Sequence, residues 1–375
     1  MSGIYIHIPF CKQKCIYCNF HSGGSLRLKD DFVIALLKEI ELSKNYLSEP
    51  IETIYFGGGT PSLLDFEDFE RIFKKLNENY NTSDCIEITI EANPEDLTEE
   101  KIKSLSNLPF NRVSIGTQAF DADSLNYLKR KHSVEQNNLA LDLIQKHWTE
   151  NISADLIYGI PTLENEKLIS SLYHLKSKGI PHISCYALTV EPSTSLHKFI
   201  NSNKIQAPIE NFTLEQMDIV ISELENLGYI QYEISNFCLP NYQAIHNSNY
   251  WEQKQYLGLG PSAHSFNGKS RQWNIANNIK YINSLKENKQ TFEIEELTQN
   301  DIYNEYIMTG LRTMKGIDSE YISSVFGKKH LTIFEENSKK FIQQAEIIKI
   351  RNKFVLSKKG IKISDYIISE LFITN

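Results

Sequence analysis

Hydrophobic positions in the first half of the chain form a repeating figure: a short apolar run, a turn, then an amphipathic stretch. The apolar runs Ile4–Ile8, Ile51–Phe56, Cys85–Ala92, Arg112–Gly116, Ile152–Tyr158 and His182–Leu188 are predicted strands. Between them, Leu28–Asn45, Asp65–Asn79, a segment capped by Thr98, Asp121–Arg130, Val134–Lys146 and Glu164–Lys178 carry helical spacing. About six βα units in unbroken alternation predict an α/β fold, a parallel sheet with helices outside. Right-handed crossovers leave a doubly wound sheet or a barrel. Six units fall short of the eight of a closed barrel, so a partial, open βα barrel is expected. In either fold the loops at the C-terminal strand ends build the site.

The figure breaks after about residue 200. Asn211–Leu227 is a predicted helix and Tyr229–Ile234 a strand. An aromatic and polar segment, Asn241–Trp251, follows, then a glycine-rich turn, Gly258–His264. From about Thr298 the pattern gives helices, two short strands (Ile347–Arg351 and Lys353–Leu356) and a last helix, a mainly helical winged-helix-like module. The expected division is 1–200 for the barrel, 201–295 for an extension of it, and 296–375 for the C-terminal domain.

Composition changes this picture little. With 41% hydrophobic and 23% charged residues the chain reads as ordinary globular protein, and no apolar run reaches the length of a membrane span. Its start runs straight into a strand, so no signal peptide is expected. A net charge of −8 argues against a nucleic-acid partner. The six cysteines do not read as a disulfide framework, which points to a reducing, cytoplasmic setting.

Three of the cysteines carry the candidate chemistry. Cys11, Cys15 and Cys18 lie in one loop directly after the first strand. Thiolates suit iron–sulfur clusters, and three of them on a four-iron cubane leave one iron open to a small molecule. His21 offers the competing reading, a Cys₃His structural zinc site.

With Tyr5-Ile-His-Ile-Pro-Phe-Cys11 and the C-x₃-C-x₂-C loop, Phe56-Gly-Gly-Gly-Thr-Pro-Ser62, Glu91-Ala-Asn-Pro94, Arg112-Val-Ser-Ile-Gly-Thr-Gln118, Asp155-Leu-Ile-Tyr-Gly-Ile-Pro161 and Tyr186-Ala187-Leu188, the chain resembles radical S-adenosylmethionine (SAM) proteins of the HemN/HemW group from end to end. The resemblance implies a [4Fe–4S] cluster on Cys11, Cys15 and Cys18, with SAM on the fourth iron and cleaved to a 5′-deoxyadenosyl radical. It also implies cofactor-binding roles for Tyr5, Tyr17, Gly58, Gly59, Thr60, Glu91, Gln118, Arg130, Asp155 and Ala187. Glycines at 57–59 would let backbone approach the methionyl amine. Glu91 and Asp155 would accept from ribose hydroxyls, and Arg130 would pair a carboxylate. HemN-type enzymes carry a second SAM, and Gln118, Arg130 and Asp155 resemble its shell too.

Two functional types divide the group. The oxygen-independent coproporphyrinogen III dehydrogenase type has a fourth cysteine two residues after the third, and a long N-terminal arm. Here that place is Phe20, and only ten residues precede Cys11. The haem-chaperone type lacks that cysteine and carries H-N-x-x-Y-W, matched by His246-Asn247-Ser248-Asn249-Tyr250-Trp251. The expected function is therefore haem binding and delivery to haem-requiring apoproteins, by resemblance those of membrane-bound respiratory enzymes. His246, Asn247, Tyr250 and Trp251 form the expected haem platform, with His246 as axial ligand. His264 is expected to be a buried, hydrogen-bonded histidine, with a second haem-side imidazole as the alternative. Peripheral membrane association and a homodimer are both compatible with this reading. The competing functions are coproporphyrinogen oxidation, a radical SAM methyltransferase, and a zinc-stapled binding protein.

Overall fold

The computed structural model describes residues 1–23 and 25–374. The apolar runs become β1 (Ser2–Ile8), β2 (Ile51–Gly58), β3 (Glu87–Ala92), β4 (Arg112–Gln118), β5 (Ile152–Tyr158) and β6 (His182–Ala187). The amphipathic stretches become α1 (Lys29–Leu42), α2 (Phe66–Asn79), α3 (Glu99–Ser106), α4 (Ala122–Tyr127), α5 (Val134–His147) and α6 (Asn165–Ser177). The six strands pair in sequence order, each parallel to the next. A doubly wound sheet reverses its strand order where its helices change faces. This one never reverses, so right-handed crossovers keep every helix on one face, the geometry of a barrel wall.

Alternation along the strands separates two interiors. Val113 and Ile115 of β4 join the apolar core under the helices, whereas Arg112 and Ser114 take the opposite phase. In β2, Phe56 enters a cluster with Phe69, Phe73 and Phe110, rings meeting at 5.1–5.5 Å. Its neighbour Tyr55 points the other way, toward Glu91. The outer core is thus hydrocarbon and the barrel lumen is polar.

The remaining strands extend this sheet at both edges. After α7 (Ser195–Asn201) and α8 (Glu210–Asn226), β8 (Asn236–Cys238) adds antiparallel to β6, and β7 (Ile230–Gln231) adds antiparallel to β8. Following α9 (Ile245–Trp251), β9 (Tyr256–Leu259) runs parallel to β1, and β10 (His264–Phe266), β11 (Ser270–Asn274) and β12 (Phe292–Glu296) continue outward. Three local expectations change. The strand expected at Tyr229–Ile234 shortens to two residues, Gly258 lies within β9 rather than in a turn, and Asn241–Trp251 contains a helix. That helix forms because the Glu87 carboxylate accepts from the free N–H groups of Ile245 (2.7 Å) and His246 (2.9 Å), a cap supplied from far away in sequence.

Beyond α10 (Asn278–Lys286) the C-terminal part holds α11 (Gln299–Leu311), β13 (Ile317–Asp318), α12 (Ser319–Tyr321), α13 (Lys328–Gln343), β14 (Ile347–Ile350), β15 (Lys353–Leu356), α14 (Lys358–Ile361) and α15 (Ser364–Glu370). Its three-stranded sheet has the order β13-β15-β14. Backbone bonds from Met314 N to Tyr232 O and from Ile234 N to Arg312 O, both 3.1 Å, fasten it to the barrel extension. Among the described residues no helix is long and apolar enough to cross a membrane.

Candidate cofactor site at the barrel mouth

The cysteine loop leaves β1 and is held at both ends by backbone. Cys11 N donates to Gly23 O (3.0 Å) and Gly23 N to Pro9 O (2.9 Å). Between them, Lys14 Nζ reaches Phe20 O (2.8 Å), and Leu196 N of α7 donates to Ile16 O (2.8 Å). The three thiols are unpaired and half-buried. Burial raises the Cys18 thiol above its ordinary range. Phe20, where the dehydrogenase type has a cysteine, is 66% exposed beside the loop.

The glycine turn after β2 packs directly on this loop. Gly59 N donates to Ile8 O at 2.8 Å, and a Cβ on Gly59 would sit 2.4 Å from Phe10 O. Gly58 has φ +104°, and a Cβ there would meet the His7 ring at 2.5 Å. The glycines therefore let two stretches of the chain touch. Glu91 fixes the turn from β3, accepting from Tyr55 OH (2.8 Å) and Gly58 N (3.2 Å). Asn93 Nδ2 reaches Thr60 Oγ1 at 3.1 Å.

Arg130 joins three elements. Lys129 takes left-handed backbone (φ +55°), which ends α4 short of the expected Arg130 and turns the arginine inward. Its guanidinium donates to Cys15 Sγ (2.9 Å), Asn93 Oδ1 (2.7 Å) and Gly116 O (3.0 Å). The expected carboxylate partner is thus replaced by the Cys15 thiol, which has a fixed positive charge beside it. Tyr17 lies in the same group, its phenol pushed up by burial against the pull of Arg130. Gln118 sits at an irregularity of the β4–β5 pairing with φ +64°, and its amide lies against Gly116.

Asp155 Oδ1 accepts from Ser114 Oγ at 3.2 Å. Burial lifts Asp155 to about 6 and Glu91 to about 7, and each carboxylate at the mouth keeps a fraction of its proton near neutrality. Tyr5 stacks on Tyr55 (6.1 Å, 27°), and its hydroxyl lies 3.2 Å from His7 Nδ1. Ala187 ends β6 and is exposed. The structure therefore brings Tyr5, Tyr17, Gly58, Gly59, Thr60, Glu91, Gln118, Arg130 and Asp155 around the cysteine loop, with Ala187 on the rim.

The residues expected to form the haem platform lie elsewhere. Helix α9 closes the N-terminal ends of β2 and β3, opposite the cysteine loop. His246 is 2% exposed, with Nδ1 2.7 Å from Thr53 Oγ1, Nε2 2.8 Å from Tyr250 OH, and its ring stacked on Tyr55 at 5.1 Å. Burial drives its pKa down to about 3, so it is neutral. Asn247, Tyr250 and Trp251 are half-buried. The aromatic and polar segment expected to present these residues is a helix docked under the barrel. His264 departs from expectation the other way: it is exposed, its ring stacked on Trp273 (6.1 Å, 27°).

His21, the fourth ligand of the zinc reading, is engaged through one ring nitrogen. His21 Nε2 is held 2.7 Å from Asn278 Oδ1, and among the described residues no three His, Cys, Asp or Glu side chains are grouped to share one metal ion. A cubane takes each thiolate on a separate iron, and three free thiols in one loop with a guanidinium beside Cys15 fit that donor set. Sequence reasoning missed two buried groups. Glu39 of α1 accepts from Gly260 N (2.7 Å), Asn274 Nδ2 (2.5 Å) and Tyr281 OH (2.6 Å), tying β9 and its turn to the helical layer. Arg112 is 2% exposed on the lumen phase of β4. A charge at the start of an otherwise apolar strand was the only signal for it.

The partial barrel with a three-cysteine loop at its mouth is the architecture of the Radical SAM superfamily, which residues 5–189 match. Residues 297–363 match the HemN C-terminal domain. Coproporphyrinogen III oxidase (HemN) from Escherichia coli superposes with a TM-score of 0.86 at 21% identity, over 99% of this chain and 90% of that one, which establishes the shared fold. The heme chaperone HemW of Bacillus subtilis is 31% identical over 96% of both chains, and that of Lactococcus lactis 29% identical over 99% of this chain and 97% of its own. The chain belongs to the HemW-type radical SAM family.

Proposed function

We propose that this protein is a haem chaperone, which binds haem and delivers it to haem-requiring apoproteins, membrane-bound respiratory enzymes among them. The observation that carries this reading is similarity along the whole chain to relatives named heme chaperone HemW. Phe20 at the place of the dehydrogenase cysteine supports it.

In this reading Cys11, Cys15 and Cys18 hold a [4Fe–4S] cluster. Tyr5, Tyr17, Gly58, Gly59, Thr60, Glu91, Gln118, Arg130, Asp155 and Ala187 surround SAM on it. Bound together, the cluster and SAM would supply one-electron chemistry at the mouth. The chain's own part is to fix the loop through Gly59 and α7, and to hold positive charge at Cys15 through Arg130. Glu91 and Asp155 keep protons available there.

His246, Asn247, Tyr250 and Trp251 form the proposed haem segment. His246 can take iron only by giving up Tyr250 OH or Thr53 Oγ1, and His264 is the open competitor. The test is anaerobic reconstitution followed by haem titration, with and without SAM. A Soret band that shifts in His246→Ala and not in His264→Ala is expected. Absence of a Soret band, together with conversion of coproporphyrinogen III to protoporphyrinogen, would replace this reading with the dehydrogenase one.

A further inference from the structure

The Arg112 guanidinium is the charged group in the barrel that the mouth does not use. It opens β4 on the phase of Ser114, whose hydroxyl donates to Asp155 on the lumen face of the neighbouring strand β5, so Arg112 projects to the same face. It is 2% exposed, its Nε has no hydrogen-bond partner, and no hydrogen bond or ion pair to its guanidinium is found among the described residues. Arg130, by contrast, is met by a thiol, an amide oxygen and a carbonyl. Burying a guanidinium without a partner is costly, and natural interiors seldom leave one so.

The groups around Arg112 do not supply that partner. Its field reaches Glu91 and Asp155 toward the mouth and His182 and His246 toward the closed end. Glu91 accepts from Tyr55 and Gly58 and Asp155 from Ser114, and among the described residues no ion pair joins either carboxylate to Arg112. His182 is held between Ser153 Oγ (2.7 Å) and Tyr232 OH (2.8 Å), and His246 between Thr53 and Tyr250. All the histidine nitrogens facing it are engaged, and both rings are kept neutral by burial.

A planar, forked donor with no protein partner matches a carboxylate from a ligand. We infer that Arg112 is the carboxylate post of a ligand site in the barrel lumen, and that it receives a propionate of the tetrapyrrole. This inference rests on the haem-binding reading above and adds to it where the cargo's acidic edge goes. Arg112 and His246 lie toward the same closed end, so one ligand can address both.

The experiment compares haem with its dimethyl ester, which keeps iron and ring but has no carboxylate, on the full reconstituted chain by Soret titration. The parent should favour haem over the ester about tenfold, the worth of one charge-assisted hydrogen bond. Arg112→Gln should lose that preference while binding the ester like the parent, and Arg112→Lys should restore most of it. Equal affinity of the parent for haem and ester overturns the inference. So does an Arg112→Gln chain that keeps the preference, or one that loses both ligands together with its cooperative melt, since that marks a structural arginine. A parent that binds neither tetrapyrrole removes the haem reading itself, and this inference with it.

Discussion

At the scale of single residues, the chemistry of the mouth depends on side chains that hold other side chains. Glu91 is the clearest case. Its two oxygens accept from Tyr55 and Gly58, yet burial raises its pKa from 4.5 to about 7. Folding therefore takes up a proton between those values, and stability falls as pH rises through that window. Asp155 adds the same sign between 3.8 and about 6. The urea midpoint of the parent relative to Glu91→Gln should fall from pH 5 to pH 7.5, because the buried neutral His246 and His182 add a slope of opposite sign equally to both chains. An equal slope in the variant would show that other groups carry it. Arg130→Met should lower iron retention after reconstitution, because Cys15 loses its cationic neighbour. The iron-to-protein ratio after desalting measures this.

At the scale of elements, the site is set by two loops pressed together. Gly59 is the contact: a side chain there would meet Phe10 O and Ile8 O, backbone atoms that cannot move alone. Gly59→Ala should cost about 2–4 kcal/mol, the range for forced backbone rearrangement. It should also displace the cysteine loop, so that melting temperature and iron content fall together. Helix α9 is the other decisive element. His246 contributes two buried hydrogen bonds and a ring stack, so His246→Ala should destabilise by about 2–3 kcal/mol whatever it does to haem. Denaturant melts of the cargo-free chain measure this apart from any Soret change. His246→Asn, which can keep the bond to Thr53, should recover part of the loss.

For the whole molecule, one twelve-stranded sheet joins the barrel to its extensions. The barrel strands continue into β7 and β8 at one edge and into β9–β12 at the other, and the C-terminal domain grips the β7–β8 turn at Tyr232 and Ile234. Tyr232 in turn holds His182 inside the lumen at 2.8 Å. Ending the chain after Glu296 should therefore loosen residues 230–238 and expose them to proteolysis, while the strands from β1 to β5 stay protected. Limited digestion followed by mass spectrometry checks this. Cuts confined to the new C-terminus would mean the domain is an independent appendage.

The alternation of strands and helices, the open barrel and the C-terminal module were legible in the sequence because period and turn residues are local properties. The spacing of Cys11, Cys15 and Cys18 was equally local, since a short loop keeps its members together however the rest folds. Side-chain partners were not. Thr53 and His246 are separated by 193 positions, Glu39 and Tyr281 by 242, and no pattern within a window of residues could pair them. The sequence by itself determined which elements form and which loop carries the thiols. Only the tertiary structure decided that the HNxxYW segment docks as a helix beneath the barrel, that Gly59 serves a chain crossing, and that Arg112 is buried without a hydrogen bond or ion pair among the described residues. The physical reason is that burial and hydrogen-bond saturation belong to the packed whole and are not properties of any stretch of chain.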